Sequence, residues 1–137
     1  MRYSEILDED LRTREFDWPA WARNRRRNYV LVDIDPVAYV EAFDKYQPDM
    51  AVRFDYYHDH ENDYHHRKVD RLVQWLETNP TVPVETPDVG LDDRGNPYTT
   101  DGRHRLYWFA KNGIRRMKVM VPRNQAKKIA QLFPPQE

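Results

Sequence analysis

Residues 101–114 read DGRHRLYWFAKNGI and carry both the start and the stop signals of a helix. Asp101 is a preferred N-cap residue, and Leu106 and Phe109 lie three positions apart on one helix face. Gly113 supplies the left-handed residue with which helices commonly end. The stretch therefore predicts a helix, preceded by a short strand.

The 101–105 turn, which opens this helix, is the strongest candidate binding site. Its backbone N–H groups have no partner within the helix, and with the helix dipole they favour an anion. Gly102 leaves room for a close approach, and Arg103, His104 and Arg105 add three side-chain donors. Basic residues here oppose the dipole by a few tenths to about 1 kcal/mol each, which predicts a compensating anion. That anion is either external phosphate or internal carboxylate, and in the second case the turn binds nothing.

The composition limits what the whole molecule can do. The chain has 137 residues, the length of one ordinary domain. Its 22 Lys and Arg oppose 23 Asp and Glu, and a net charge of -1 excludes attraction of nucleic acid by the whole surface. The absence of cysteine excludes disulfides, thiol catalysis and zinc–thiolate sites, and it fits a cytoplasmic protein. We expect neither a signal peptide nor a membrane span.

The rest of the chain alternates between short strands and helices. The patterns predict helices over residues 3–14, from Asp35-Pro36 onward, over 64–77 and around 126–133, and strands over 29–34 (the first), 82–89, 97–100 and 117–121. Prolines in residues 82–89 favour a sheet edge. We therefore expect a small α/β (α+β) domain, a mixed sheet with flanking helices. It divides into an N-terminal helix with a basic and aromatic arm (1–28), a core (29–122) and a C-terminal helix and tail (123–137).

The motif of the turn and the order of these elements resemble the ParB/sulfiredoxin superfamily. Members carry a D-G-x-H-R, G-C-H-R or G-E-R-R type turn, followed by an alanine-containing helix and a strand. The matching residues are Asp101-Gly102-Arg103-His104-Arg105, the helix up to Ile114, the strand ending Val119-Met120-Val121-Pro122, the preceding helix from Lys68 to Leu76, the strand Val82-Pro83-Val84, and the opening strand from Tyr29 to Pro36. The resemblance covers roughly residues 29–122. Its D-G-x-H-R branch includes ADP-dependent free-serine kinases and DndB-like DNA-modification regulators.

The resemblance implies a nucleotide-phosphate site on a small mixed sheet. The implied site residues are Asp101, Gly102, Arg103, His104 and Arg105 in the turn, and Lys68 and Arg71 on the preceding helix. Within this set, His104 and Arg105 match the phosphate-contacting His-Arg pair. The implied cofactor is a nucleotide (ATP, ADP or CTP), with Mg²⁺ as its companion ion.

Departures from the family pattern narrow the implied activity. Arg103 stands where sulfiredoxins have their cysteine, which excludes that redox chemistry. We find no E-N-x-Q-R segment of the kind that chromosome-partitioning ParB uses for CTP. No helix-turn-helix region follows the core, so a full ParB clamp is not expected.

A histidine-rich segment, residues 58–66, is a second candidate site. His58 and His60, with nearby carboxylates, could bind a divalent transition metal, although a solvated polar loop explains the same composition. Carboxylates of this segment could also hold Mg²⁺ for a phosphoryl reaction. Asp63 or Glu61 is the candidate catalytic base.

The N-terminal arm is a third candidate. Trp21 is followed closely by Arg23, Arg25, Arg26 and Arg27, and arginine beside indole suits phosphate contact with base stacking. An arm that docks on a protein partner, or whose indoles cover the core, explains the pattern equally well. We therefore expect either DNA or a protein partner here.

Two further tryptophans lie on the helices that border the turn. Trp75 and Trp108 are typical of core or pocket-wall positions. Because Trp108 follows His104 by one helical turn, these two side chains could also line a base pocket.

Three functions remain open. The first is an enzyme of phosphoryl transfer or of phosphodiester or nucleotide hydrolysis. In it His104 and Arg105 hold phosphate, Lys68 neutralises charge, and Asp63 binds metal or activates the nucleophile. The second is a non-catalytic DNA-, nucleotide- or partner-binding module of plasmid, phage or DNA-modification systems. The third is a structural or inhibitory protein whose fold has lost its ligand.

Overall fold

The computed structural model describes residues 11–52 and 63–136, except for the side chains of Arg25 and Asp63. They form a small mixed α/β domain with two sheets, which confirms the expected class. The strands are β1 (Phe16–Asp17), β2 (Tyr29–Ile34), β3 (Val84–Glu85), β4 (Asp88–Leu91), β5 (Pro97–Asp101) and β6 (Met117–Pro122). The α-helices are α1 (Pro36–Tyr46), α2 (Asp63–Thr78), α3 (Arg103–Lys111) and α4 (Ala126–Leu132), and 3-10 helices span Ala20–Arg25, Pro48–Met50 and Arg123–Gln125.

The main sheet has the strand order β2-β6-β4-β5. The β2–β6 and β4–β5 pairs are antiparallel and the β4–β6 pair is parallel, so the sheet is mixed as predicted. The single strand expected over residues 82–89 is divided between β3 and the start of β4. β3 is an edge strand of a two-stranded sheet, as expected, whereas β4 lies inside the main sheet. Pro87 stands just before β4 and contributes only its carbonyl, which accepts a hydrogen bond from the Met120 N–H. The proline therefore removes no donor from the ladder.

The segment before β2 also pairs, in a second sheet of two strands. β1 runs parallel to β3, with Phe16 opposite Val84. The strand at 29–34, expected to be the first, is therefore the second. Residues 1–10 lie outside the described part, so the helix predicted over 3–14 is described only at its end, where Leu11 and Arg12 are helical.

Local end signals position the helices as predicted. The Asp35 carboxylate accepts hydrogen bonds from the backbone N–H groups of residues 37 and 38, and Pro36 occupies the first turn of α1. Gly113, with φ of 76°, ends α3. Its N–H and that of Ile114 bond back to the last turn, and the Ile114 side chain is buried.

The core lies between the main sheet and the helices that pack on it. Tyr39 of α1 is fully buried, whereas Tyr46, two turns later, is exposed. The Tyr39 hydroxyl contacts the carbonyls of Gly90 and Tyr98 and the hydroxyl of Thr99, and burial raises its pKa to about 12. This neutral phenol ties α1 to β4 and β5 just before the 101–105 turn.

α2 packs its predicted apolar stripe on the core. Val69, Val73 and Leu76 are buried, and Leu72 is half-buried. Its polar face carries Lys68 toward the 101–105 turn, where Lys68 and the turn line the same cavities. None of the described helices has the length and the apolar character needed to cross a membrane.

Candidate functional site

The start of the 101–105 turn differs from what the sequence predicted. α3 begins at Arg103, and its N-cap is Gly102, so the expectation that Asp101 caps the helix is wrong. Asp101 instead ends β5. Its carboxylate accepts a hydrogen bond from Trp21 Nε1 at 3.2 Å and lies 3.5 Å from Nη2 of Arg105. Because glycine has no side chain, the N-cap offers the first N–H groups of α3 no acceptor.

Gly102 is required by the fold itself. Its φ of 80° lies in the left-handed region, which costs other residues about 1–2 kcal/mol. A Cβ here would lie 2.7 Å from the Cα of Pro87 and 2.6 Å from Nη2 of Arg105. The lack of a side chain therefore lets the turn pack against Pro87, independently of any bound anion.

Arg105 is held by internal carboxylates. Its Nη2 lies 3.5 Å from Asp101, its Nη1 lies 3.8 Å from Glu85, and its side chain is 21% exposed. Both carboxylates also hold the N-terminal arm, since Trp21 bonds to Asp101 and the Ala20 N–H donates to Glu85 at 3.0 Å. Arg105, implied as a phosphate contact, thus has two internal partners and anchors the arm through them.

Arg103 and Lys68 differ from Arg105 in their ion-pair partners. In residues 11–52 and 63–136, no carboxylate lies within ion-pair distance of Arg103, Lys68 or Arg71. Lys68 Nζ stands over the Tyr64 ring, 5.6 Å from its centroid. The Arg103 Nε is buried and has no hydrogen-bond partner among the described residues. These three cations keep their charge available to an external anion.

His104 contacts a histidine from α2. Its Nε2 lies 2.9 Å from Nδ1 of His65, and the tautomers decide which nitrogen donates. The Tyr64 ring stands edge-on to both imidazoles. Burial, followed by His65, Arg103 and Lys68, lowers the pKa of His104 to about 4. His104 is therefore neutral at pH 7, a form that can accept a proton but that brings no charge to a phosphate.

Two cavities open on either side of the 101–105 turn. The smaller has a volume of about 320 Å³, and the larger, between α2, β3 and the arm, has about 650 Å³. Both are lined by Lys68, Asp101, Gly102, Arg103 and His104. Tyr64, Tyr98 and Met50 complete the smaller cavity, and Trp18, Trp75, Arg71 and Val82 are among the residues that complete the larger. The structure thus gathers all implied turn residues with Lys68, and places Arg71 on the larger side.

The N-terminal arm lies against the larger cavity. Arg23 lines it, and its guanidinium is 3.5 Å from the Asp17 carboxylate. The Arg26 guanidinium lies over the Trp18 ring, 5.0 Å from the centroid. With Trp21 bonded to Asp101, the arm is joined to the turn, and two of its predicted nucleic-acid residues already have internal polar partners.

Other predicted site residues do not reach the turn or lie outside the described part. Arg27 is exposed and lines neither cavity. His58, His60 and Glu61 and the side chains of Arg25 and Asp63 are not among the described residues. Within the described ranges, no group of three or more His, Cys, Asp or Glu side chains could hold a metal ion. The metal site at His58 and His60 and the base role of Asp63 stay predictions.

The two helix tryptophans occupy different environments. Trp108 is 1% exposed, belongs to the core and lines neither cavity, so it does not form a base pocket with His104. Trp75 is 37% exposed and lines the larger cavity. The Arg14 guanidinium lies over its ring, 5.5 Å from the centroid.

Two site residues were missed by sequence reasoning. Tyr64 and His65 begin the helix predicted over residues 64–77, as expected, but they were not among the candidate site residues, and the structure brings both into contact with His104. A signal existed, because Tyr64 precedes Lys68 by four residues and therefore shares its helix face. The contact with His104 carries no local signal, since the two histidines are 39 residues apart.

Comparisons of the chain with protein-family models, with curated proteins and with solved structures give no match. The resemblance to the ParB/sulfiredoxin superfamily therefore rests on the motif of the turn and on the order of the elements. A shared fold would not identify a function in any case, because function depends on the geometry and chemistry of the site.

Proposed function

We propose that this chain binds the phosphate of a nucleotide or a nucleic acid at the 101–105 turn. The observation that carries the proposal is that three cations lining the cavities have no ion pair in the described ranges: Lys68, Arg71 and Arg103. Lys68 and Arg103 come from different helices and line the same two cavities beside the N-terminus of α3. Such an arrangement leaves like charges close together, which an anion would relieve.

The roles within the turn follow from the partners of each side chain. Lys68 and Arg103 hold the phosphate, with the first N–H groups of α3 as further donors. His104 is neutral and donates or accepts a hydrogen bond. Arg105 positions the turn through Asp101 and Glu85 instead of contacting phosphate. The pairing of Lys68 with the turn is also what membership of the ParB/sulfiredoxin superfamily implies, and we keep that membership as part of the proposal.

The residues fit a nucleotide phosphate better than they fit its Mg²⁺. Among the described residues, Asp101 is the carboxylate that lines the smaller cavity, and it is already bonded to Trp21 and paired with Arg105. Magnesium is held by carboxylate and phosphate oxygens together with water.

A thermal-shift screen tests phosphate binding. ATP, ADP, CTP, GTP and short DNA are added with and without Mg²⁺, and a compound at about 100 times its Kd stabilises by roughly 2.7 kcal/mol. We expect Lys68→Ala with Arg103→Ala to abolish the shift. The matched control, Lys127→Ala with Lys128→Ala, removes the same charge from exposed positions on α4 and leaves the shift intact. Equal shifts in the two double variants would contradict the proposal.

Catalysis is a second candidate function, favoured by the contact between His65 and His104. A neutral imidazole at a cavity wall can orient an attacking water by a hydrogen bond. A phosphate bound beside Lys68 and Arg103 offsets the charges that help to lower the pKa of His104, and it therefore raises that pKa toward the range in which an imidazole can take a proton from the water. Product analysis after incubation with each compound that binds tests this function. We expect His104→Gln to lower turnover by about 10²- to 10⁴-fold with unchanged Kd. Binding without any product makes the chain a non-catalytic module.

A further inference from the structure

The two cavities beside the turn are joined by one cationic ridge. Five residues line both of them: Lys68, Asp101, Gly102, Arg103 and His104. Lys68 and Arg103 are the two cations of this shared boundary and form what we call the ridge, and the Asp101 carboxylate beside them is already paired with Arg105. A molecule that reaches from one cavity into the other must cross the ridge. Whatever crosses it meets two positive charges that have no ion pair within the described ranges.

Each cavity is lined by aromatic side chains. Tyr64, 52% exposed, and Tyr98, 41% exposed, line the smaller cavity. Trp75, 37% exposed, and Trp18, half-buried, line the larger one, and each has a guanidinium over its ring. Tyr64 is held beside the ridge by the Lys68 ammonium over its ring. Flat exposed rings of this kind are the surfaces on which nucleobases stack.

Across the site, an aromatic-lined cavity is followed by the cationic ridge and then by the second aromatic-lined cavity. A strand of nucleic acid has the matching order of base, phosphate and base along its backbone. We propose that the site binds single-stranded nucleic acid, with one internucleotide phosphate on the ridge and the two flanking bases in the two cavities. This inference rests on the proposed phosphate site and names its substrate class.

The distribution of charge favours a phosphodiester over a terminal triphosphate. Arg23 and Arg105, which also line the larger cavity, are paired with its carboxylates Asp17, Glu85 and Asp101. Of the cations without an ion pair in the described ranges, two lie at the ridge and the third, Arg71, lies on the larger side only, so this positive charge is spread along the site. A triphosphate concentrates its charge at one place and needs a compact cluster of cations or a metal ion. A strand carries one negative charge per phosphate, which suits spaced cations.

A duplex does not fit this arrangement. Its bases are stacked on each other and paired, and they would have to be extruded before they could enter the cavities. Single strands expose their base faces without that cost. The site is therefore expected to distinguish strand from duplex by shape.

A length series tests the inference with the full chain. Titration calorimetry compares thymidine monophosphate, the dinucleotide thymidylyl-thymidine, a single-stranded octamer and the octamer duplex, with a uridine series to separate DNA from RNA. We expect the dinucleotide to bind at least about tenfold more tightly than the monophosphate, and the strand more tightly than the duplex. Equal affinity for monophosphate and dinucleotide overturns the inference.

Variants of the two walls provide the second arm. Trp75→Leu should weaken dinucleotide binding about 5- to 150-fold, while the affinity for inorganic pyrophosphate stays unchanged. Tyr64→Ala should weaken dinucleotide binding by a similar factor with a smaller loss of pyrophosphate affinity, because the Lys68 ammonium loses the ring beneath it. Tyr46→Ala is the matched control, because Tyr46 is 47% exposed and also carries a lysine ammonium over its ring, but lines neither cavity. Tyr64→Leu replaces Tyr64→Ala if thermal melting shows that the alanine variant is unfolded.

The outcomes separate the inference from the proposed function. In one outcome, the Lys68 and Arg103 variants lose pyrophosphate and dinucleotide binding but the aromatic variants have no effect. That outcome overturns the inference of single-stranded nucleic acid and supports the phosphate site. Binding that survives those variants but disappears on changing Arg26 and Arg27 overturns both and moves the site to the arm. Absence of binding to every compound in the series also overturns both.

Discussion

Nδ1 of His65 and Nε2 of His104 lie 2.9 Å apart, so a hydrogen bond between two imidazoles joins α2 to the start of α3. The pair sits beside the ridge of Lys68 and Arg103. Burial, the second imidazole and the two cations all disfavour a proton on His104. This one contact therefore links the packing of the helices to the charge state of the candidate site.

The first prediction concerns pH. The pKa of His104 is lowered to about 4, while an unfolded histidine titrates near 6.5, so the unfolded chain binds more protons in that window. The contribution of His104 to stability is therefore complete above pH 6.5 and declines as the pH falls through the window toward 4. Histidine NMR titration and melting between pH 7 and 4.5 measure both effects. His104→Gln should make the decline shallower, and titration of His104 near 6.5 would disprove the assignment.

The second prediction compares two glycines with nearly equal backbone angles. Gly102 has φ of 80° and Gly113 has φ of 76°, but a Cβ at Gly113 meets no atom within 4 Å. Gly113→Ala should cost about 1–2 kcal/mol of unfolding free energy. Gly102→Ala should cost about 2–5 kcal/mol, since the new Cβ also collides with Pro87. Denaturant unfolding measures both, and equal costs would show that the close approach of Pro87 is relieved cheaply.

The third prediction separates two arginines that lie two positions apart. Arg105→Ala should lower stability by about 1 kcal/mol, because Asp101 and Glu85 lose their partner. Hydrogen exchange of the arm, whose Trp21 and Ala20 bond to the same carboxylates, should then rise. Arg103→Ala should leave stability unchanged or raise it by a few tenths of a kcal/mol, since it removes a cation from a helix N-terminus.

The same two arginine variants should also differ in phosphate binding. Arg103→Ala should weaken phosphate binding, whereas Arg105→Ala should weaken it only as far as the turn is disturbed. Melting curves with and without nucleotide report both quantities on the same samples. If Arg105→Ala abolishes binding in a fully folded protein, Arg105 contacts the phosphate and its positioning role is wrong.

The fourth prediction concerns the cap of α1. Asp35 is fully buried, caps α1 and forms a bidentate contact with Arg115, whose Nη2 lies 2.6 Å from Oδ2. Asp35→Ala should cost about 2–4 kcal/mol from the lost cap and charged hydrogen bonds. Asp33→Ala is the matched control, two residues earlier on β2. Asp33 pairs with Arg116 and Lys118 near the surface, and its loss should cost less than about 1 kcal/mol.

Much of the secondary structure follows from local signals. Asp35-Pro36 begins α1 and Gly113 ends α3 because caps and left-handed stops act within one turn of chain. Asp101 misled the prediction, since it is an equally good cap by type but is drawn into β5 by pairing with Asp88. The edge expected for residues 82–89 holds for β3 but not for β4, for a related reason. Strand order depends on residues far along the chain, and β4 pairs with β6 on one side and β5 on the other.

The sequence by itself determined the small α/β class, most of the helices and strands, and a cationic turn at a helix N-terminus. The tertiary structure decided which cations of the turn are available to an external anion. Arg105 is paired with Glu85, 20 residues earlier. Arg103, two positions before Arg105, lies near Lys68 and has no carboxylate partner in the described ranges. The tertiary structure also decided that His104 is neutral, through burial first and then through contact with His65. Periodicity and capping are interactions between near neighbours and can be recognised in the sequence. Charge compensation and desolvation depend on which distant residues the fold brings within a few ångströms, and that is set by packing.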